Sequence, residues 1–369
     1  MCFRLKPSVR NATAFRMTNS LLPTGFRDRL PPEADASARL VRAILDTAAS
    51  FGYERVQAPL AEFESSLTGS LGTSARDLLR FVDPVSGETM AVRSDITGQI
   101  GRIATTRMGH HPRPVRLSYG GPVVKLRATQ LRPEREMMQV GAELIGLDSV
   151  AAASEVVQVA LEGLKAAGAK ELTLDLTMPD LIDTLAPQGD VAALKAALDA
   201  KDAGAVPAEF APLIAAAGPL PEALDRMRAF DADGRLKERL DAIAAIADSV
   251  PADVRVTLDP TELHGFEYQS WFGFSLFSGH ASGEIGRGGS YRIGEEPAVG
   301  FSAYIDPLID AGLAQGERRR LFLPIGTLPQ KAAALRAEGW VAVAQMNPDD
   351  SAEAQICSHV LVNGRPEPV

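Results

Sequence analysis

Three residues at alternate positions in one stretch, REMMQVGAELIG, have the types and spacing to bind a small polar molecule: Gln139, Gly141 and Glu143. The stretch alternates with a period of two. Met138, Val140, Ala142 and Leu144 point one way and the Gln/Gly/Glu set the other, as in a strand from about Met137 to Ile145. A strand with one apolar face and a Gln/Glu pair opposite is buried below and faces a polar cavity above, or is an ordinary half-exposed hairpin. Under the first reading, the missing side chain of Gly141 leaves room for something small on the sheet. Upstream, RSDIT opens a helix with Asp95 and Thr97, and Asp95 has the position and type of an N-cap, accepting from an orphan amide of the first turn. Lys125, Arg127, Arg132 and Arg135 lie in a basic loop just before the Gln/Glu strand. Gly286, Gly288 and Gly289 in GEIGRGGSY either cradle a phosphate by close backbone approach or make a tight turn beneath a ligand. His110 and His111 sit beside Pro112 with no cysteine or carboxylate at ligand spacing, and read as surface residues.

The elements that must position these groups follow from periodicity. A helix from Glu33 to Ser50 carries Leu40, Val41, Ile44, Leu45 and Ala48 on one stripe, with prolines just before it and Gly52 at its stop. A strand from Tyr53 to Ala58 ends at Pro59. Residues 78–92 form a hairpin turning at Pro84 and Ser86-Gly87, and a helix covers Thr97 to Thr106. A first central strand, Val115 to Val124, precedes the basic loop. Beyond the Gln/Glu strand come an Ala/Val-rich helix from Asp148 to Ala167 and a strand from Glu171 to Thr177. Residues 185–250 turn to alanine and acid, punctuated by prolines, as three or four short helices forming a helical insertion. It lacks interleaved aromatic and basic residues, so it reads as a packed appendage or partner-docking surface and not an RNA contact. Residues 254–277 read as strand again, and residues 316–369 as a small C-terminal α/β unit.

Composition bounds the class. The chain has 369 residues, 46% of them apolar and 23% charged, with a net charge of −9. That length suits two domains, or one with an insertion. The acidic balance speaks against a broad nucleic-acid surface. Cys2 and Cys357 stand at opposite ends and suggest neither a disulfide framework nor a thiolate metal site. No apolar run reaches the roughly 18–20 residues that span a bilayer, and a cytoplasmic location is expected. Residues 1–19 hold basic and no acidic residues, and read as a disordered leader from an over-extended start.

The phrases RPVRLSYGGPV and REMMQVGAELIG resemble motif 2 of class II aminoacyl-tRNA synthetases in its histidyl-tRNA synthetase version. The helix–strand–proline run of residues 33–59 is similar to motif 1, the family's dimer interface, and GEIGRGGSY with PAVGFSAYIDPL is similar to motif 3. The resemblance extends over residues 21–308. It implies an α+β fold for residues 20–315, an antiparallel sheet flanked by helices. It also implies a histidine pocket. By that likeness Asp95, Thr97 and Gln139 offer acceptors to the ammonium, and Glu143 serves one imidazole nitrogen. The family's tyrosine for the other nitrogen is replaced by Gln269, with Tyr268 adjacent. Tyr291 matches a pocket tyrosine, and Lys125 stands where the family has a motif 2 arginine.

The departures from the family decide the expected activity. Adenylation needs fixed cations against the α-phosphate, commonly arginines. The three family positions here hold Lys125, His264 and the acid-proline pair Asp306-Pro307. Each missing contact of this kind costs on the order of 10²–10³ in rate. A synthetase-like body with lost arginines and no full anticodon domain resembles the regulatory subunits of ATP phosphoribosyltransferase. That resemblance implies a non-catalytic chain without cofactor or metal. Its partners would be a short-form catalytic subunit, its own copies as dimers within a hetero-octamer, and histidine as effector, with neither nucleic acid nor membrane. A working histidyl-tRNA synthetase or related ligase, and an RNA-binding or scaffold paralogue, are the alternatives.

Overall fold

The computed structural model describes residues 22–68, 71, 74–127, 134–185, 187–266, 268–316 and 318–369. Residues 1–19 and Arg132 therefore lie outside the described residues. The chain divides into one compact unit that ends at Leu313 and a second from Ala314 to Val369.

The first unit begins with α1 (Glu33–Ser50), whose first turn carries Glu33 and Asp35 against the positive end of the helix dipole. Its buried stripe is Ala36, Leu40, Ile44, Leu45 and Ala48. Gly52, at φ +86°, ends it in a conformation that costs glycine nothing. Then come β1 (Glu54–Arg55), α2 (Thr97–Thr106), β2 (Val115–Val124), β3 (Glu136–Ile145), α3 (Val150–Ala166) and β4 (Leu172–Thr177). Ser149 caps α3 by accepting from the Ala152 amide. After these lie β5 (Gly218–Pro219), α4 (Lys237–Asp248), β6 (Arg255–Leu258), β7 (Gly273–Ser278), β8 (Glu284–Ile293), β9 (Glu296–Tyr304) and α5 (Asp306–Asp310).

Nine strands make one sheet in the order β1-β2-β3-β9-β8-β7-β4-β6-β5. Its centre, from β2 to β4, is antiparallel; β1 joins β2 and β6 joins β4 in parallel. α1 and α3 pack on each other and on one face of β3. On the other face α2 contributes Ile100 and Ala104 to a core with Leu117, Tyr119, Ile145, Tyr291 and Ile293. A three-stranded sheet, residues 61–63, 89–92 and 79–82 in that order, stands beside α2.

One expectation changes. Residues 254–277 are not one strand: β6 ends at Leu258, and residues 259–272 leave the sheet before β7 begins at Gly273. Pro260, which has no amide to give a ladder, and Gly265, at φ +82°, sit in that excursion. The expected helical insertion is there, with four helices among the described residues, at 191–199, 211–215, 220–230 and 237–248. It is part of the main body, since α4 packs on α3 and β5 hydrogen-bonds to β6.

The second unit is a four-stranded sheet, residues 341–344, 320–323, 359–362 and 365–368 in that order, with a helix over 329–337. Leu321, Leu323, Ala332, Leu335 and Trp340 form its core.

Candidate functional site: a cavity over the centre of the sheet

Register decides which side chains share the sheet face beneath the cavity. Glu143 on β3 pairs with Gly300 on β9, Gly300 with Gly289 on β8, and Gly289 with Gly273 on β7. A buried glutamate is thus followed across the sheet by three glycines. The next row runs Tyr119, Gly141, Ser302, Arg287, Ser275. Above these rows is a cavity of about 660 Å³, within the ~300–1,000 Å³ typical of small-molecule sites.

Glu143 is 1% exposed. Its Oε2 accepts from the Tyr291 hydroxyl at 2.6 Å and its Oε1 from the Tyr119 hydroxyl at 2.9 Å. Burial pushes this carboxyl up to about 8, against the pull of the two hydroxyls. Burial and the facing carboxyl also raise both tyrosines well above their ordinary value, so they stay donors. Tyr119 is the hub, since its hydroxyl also lies 2.8 Å from Ser302 Oγ and 3.2 Å from Thr97 Oγ1.

Asp95 and Thr97 reach the cavity from the start of α2. Ile96, not Asp95, holds the N-cap position of α2; Asp95 Oδ1 accepts from the Thr97 amide at 2.7 Å one residue earlier, and Asp95 lines the cavity. Its Oδ2 accepts from Gln139 Nε2 at 2.8 Å. Gln139 stands one layer behind the wall. It is fully buried, its Oε1 takes the Ile96 amide, and Nε2 also donates to Ser302 Oγ. Its acceptor is therefore committed to the protein and it works by fixing Asp95.

Tyr291, Tyr268, Gln269 and Lys125 all line the cavity. Tyr268 meets Tyr291 edge to face, with ring centroids 5.8 Å apart. Gln269 Oε1 is shielded from solvent and accepts no hydrogen bond among the described residues. The excursion that carries Tyr268 and Gln269 is tied to the insertion. Asp199 Oδ1, at the end of the helix over 191–199, accepts from the amides of Leu263 and His264, and Lys201 Nζ reaches Asp259 and Thr261.

The glycine expectations are corrected. The room at Gly141 is occupied, since a Cβ there would lie 2.5 Å from the Tyr119 hydroxyl and 2.2 Å from the Phe301 carbonyl oxygen. Gly286, Gly288 and Gly289 form no turn; they lie within β8, where the sheet packs too closely for side chains. Gly288, Gly289 and Gly300 line the cavity floor, and only the pairing of β8 with β9 brings them together.

Of the three positions where the family has cations, only Lys125 lines the cavity. Asp306 caps no cavity wall: its Oδ2 accepts from the Met138 amide at 3.0 Å, and its other oxygen pairs with Arg29. His264 is exposed and stands outside the lining. The cavity nevertheless holds two guanidinium groups, Arg127 from the basic loop and Arg287, which the sequence did not single out. Arg287 is already paired through two hydrogen bonds with Glu284, at 2.8 and 2.6 Å, and lies 5.3 Å from the centre of the Phe266 ring. Among the described residues the wall carries four charged carboxylates (Asp77, Asp95, Glu134, Glu284) and the largely protonated Glu143 against three cations (Lys125, Arg127, Arg287). An acid majority suits a ligand with positive charge and opposes a triphosphate. Among the described residues no cluster of three His, Cys, Asp or Glu is placed to hold a metal ion.

The histidyl-tRNA synthetase family model matches residues 25–308. ATP phosphoribosyltransferase regulatory subunits from Rhodospirillum centenum and Paramagnetospirillum magneticum are 42% and 41% identical to the chain. The first alignment covers 94% of this chain and 95% of the relative, the second 93% and 96%. The chain belongs to the ATP phosphoribosyltransferase regulatory subunit family. Solved structures agree on the fold. A Bacillus halodurans protein described as an ATP phosphoribosyltransferase regulatory subunit/histidyl-tRNA synthetase superposes with a TM-score of 0.78 at 21% identity, covering 92% of this chain and 96% of that one. A Nostoc histidyl-tRNA synthetase gives 0.76 at 16% identity, covering 93% and 91%. This regulatory-subunit family member thus has the histidyl-tRNA synthetase-like class II fold. No helix among its described residues is long and apolar enough to cross a membrane.

Proposed function

We propose that this chain is the non-catalytic partner of a short-form ATP phosphoribosyltransferase catalytic subunit, required for that subunit's activity in the first step of histidine biosynthesis. Histidine, the end product, binds in the cavity over the sheet and inhibits the complex from there. Its ammonium meets Asp95 and Thr97, and its ring meets Glu143 beneath Tyr291 and Tyr268. Inhibition then follows from linkage, because an effector shifts an equilibrium only by its unequal affinity for the active and inactive states. The helix–strand–proline run of residues 33–59 supports self-association as a dimer within a hetero-octamer. A reducing, cytoplasmic setting fits the two isolated cysteines.

The observation that carries this reading is the cavity's charge. Among the described residues its carboxyl groups outnumber its cations five to three, or four to three with Glu143 protonated, and Arg287 is already paired with Glu284. The test is co-expression with a short-form catalytic subunit and assay of phosphoribosyl-ATP formation by each component alone and by both. Activity only in the combination, suppressed by histidine, is expected. A catalytic subunit fully active by itself would remove the assignment.

The competing reading is a working histidyl-tRNA synthetase, favoured by Lys125, Arg127 and Arg287 on the cavity wall. Histidine-dependent exchange of pyrophosphate into ATP would establish it, and its absence is expected.

A further inference from the structure

The three-stranded sheet beside α2 has two unlike faces. Register puts Phe63, Met90 and Phe81 in one row and Ala61, Val92 and Leu79 in the next, both on one side. The other side carries Glu62, Ala91 and Arg80. Ala91 is fully buried and Arg80 reaches Glu64 in the helix over 64–68, so this second side is the one packed on the body. The first side carries no charge, yet Phe63 and Phe81 are 42% and 44% exposed. Glu62 ties the sheet to the cavity. Its Oε1 accepts from Gln99 Nε2 at 2.8 Å and from Arg102 Nη2, and its Oε2 accepts from Arg102 Nε at 3.0 Å. Both donors lie in the first two turns of α2, which begins at Thr97 with Asp95 just ahead of it. The Arg93 amide donates to the Leu60 carbonyl at 3.0 Å, and Arg93 Nη1 donates to the Ala58 carbonyl at 3.0 Å. Strand 61–63 and the Asp95–Thr97 wall of the cavity are thus joined by one set of hydrogen bonds.

We infer that a second copy of this chain covers the apolar side of this sheet, and that Glu62 is the positioning residue through which that contact sets the Asp95–Thr97 wall. This rests on the reading of the cavity as the histidine site of a self-associating chain. The occupant follows from continuity and charge. Leu60, 48% exposed, joins strand 61–63 to Pro59, the end of the run that supports self-association, so the two surfaces are continuous. Copies that each carry a net charge of −9 meet at least cost where a charge-free patch faces itself. Homodimer interfaces are also the more apolar kind. A covered sheet is held in place, and the carboxylate bonded to Gln99 and Arg102 passes that order to the start of α2. An uncovered sheet is free to shift, and Glu62 then fixes nothing.

The test pairs sedimentation of the full chain, which reads its mass, with calorimetric titration by L-histidine. Wild type is expected to be a dimer. Phe81→Asp places a charge in the patch without touching the core, and should give a monomer that binds histidine about tenfold more weakly. Glu62→Gln should stay dimeric and also lose about tenfold, as for removal of hydrogen bonds to a charged group. The double variant should bind no more weakly than Phe81→Asp alone, since the two changes break one coupling. A merely structural Glu62 would cost the same in monomer and dimer, and that result would overturn its positioning role, as would a dimeric Glu62→Gln with wild-type affinity. A Phe81→Asp protein that remains a dimer would overturn the assignment of the face. Absence of histidine binding by wild type, with Phe81→Asp still monomeric, would remove the histidine reading and the coupling with it, and leave the dimer face standing.

Discussion

The Tyr291 hydroxyl donates to Glu143 Oε2 at 2.6 Å inside a pocket where the carboxyl has almost no access to water. Together with Tyr119 it holds an acid that is largely uncharged at neutral pH, its titration raised to about 8 by burial.

That shift has a sign in stability. The unfolded glutamate loses its proton near its ordinary value of about 4.3, whereas the folded one keeps it to about 8. Between those limits the folded state binds more protons, so Glu143 destabilises the fold progressively as pH rises. Glu143→Gln removes this dependence. Relative to wild type, the variant should gain on the order of 1 kcal/mol per pH unit between pH 5 and 8. Denaturant titrations at those two pH values check it, and parallel curves for the two proteins would reject it.

Glu143→Ala deletes the buried carboxyl of the cavity floor and takes the acceptor from the Tyr291 hydroxyl, while Tyr119 keeps Ser302 and Thr97. Histidine affinity should fall roughly 10-fold to 100-fold, as for loss of a hydrogen bond to a charged or polarised group. Calorimetry that gives an unchanged dissociation constant would place histidine elsewhere.

Gly300→Ala puts a methyl group 1.5 Å from Glu143 Oε2 and 2.9 Å from the Ala142 carbonyl oxygen. One of these is backbone and cannot yield, so overpacking of about 1–3 kcal/mol is expected. Histidine binding should be lost along with it. Gly294→Ala is the control: its Cβ meets nothing, and its cost is confined to the positive φ of +57°.

Asp306→Arg restores a guanidinium at the motif 3 position in sequence but not in space. The side chain there is directed at Arg29 and the Met138 amide. The variant should lose stability by about 3–5 kcal/mol, as when one partner of a buried pair is removed. It should show no pyrophosphate exchange. Chemical denaturation and an exchange assay read the two outcomes separately.

Asp199→Ala touches nothing in the cavity but frees the amides of Leu263 and His264. Histidine binding should weaken severalfold through loosening of the segment that carries Tyr268 and Gln269. An unaltered affinity would show that segment to be held by its other contacts alone, such as Thr177 Oγ1 on the Glu262 carbonyl.

Local pattern was enough for the elements and for the face of β3. Alternation over residues 136–145 put Gln139 and Glu143 together, and helical periodicity located α1 and α2, because both signals are written in neighbouring residues. The family likeness was legible for the same reason, since its motifs are contiguous phrases. Registers between distant strands are not written locally. Only the sheet shows that Tyr119 fills the space at Gly141, that Gly289 faces Gly300, and that Gln139 serves Asp95 and not the cavity. The charge of the site was likewise a tertiary matter. Whether Arg287 is free or paired, and where Asp306 points, depends on partners brought near by folding.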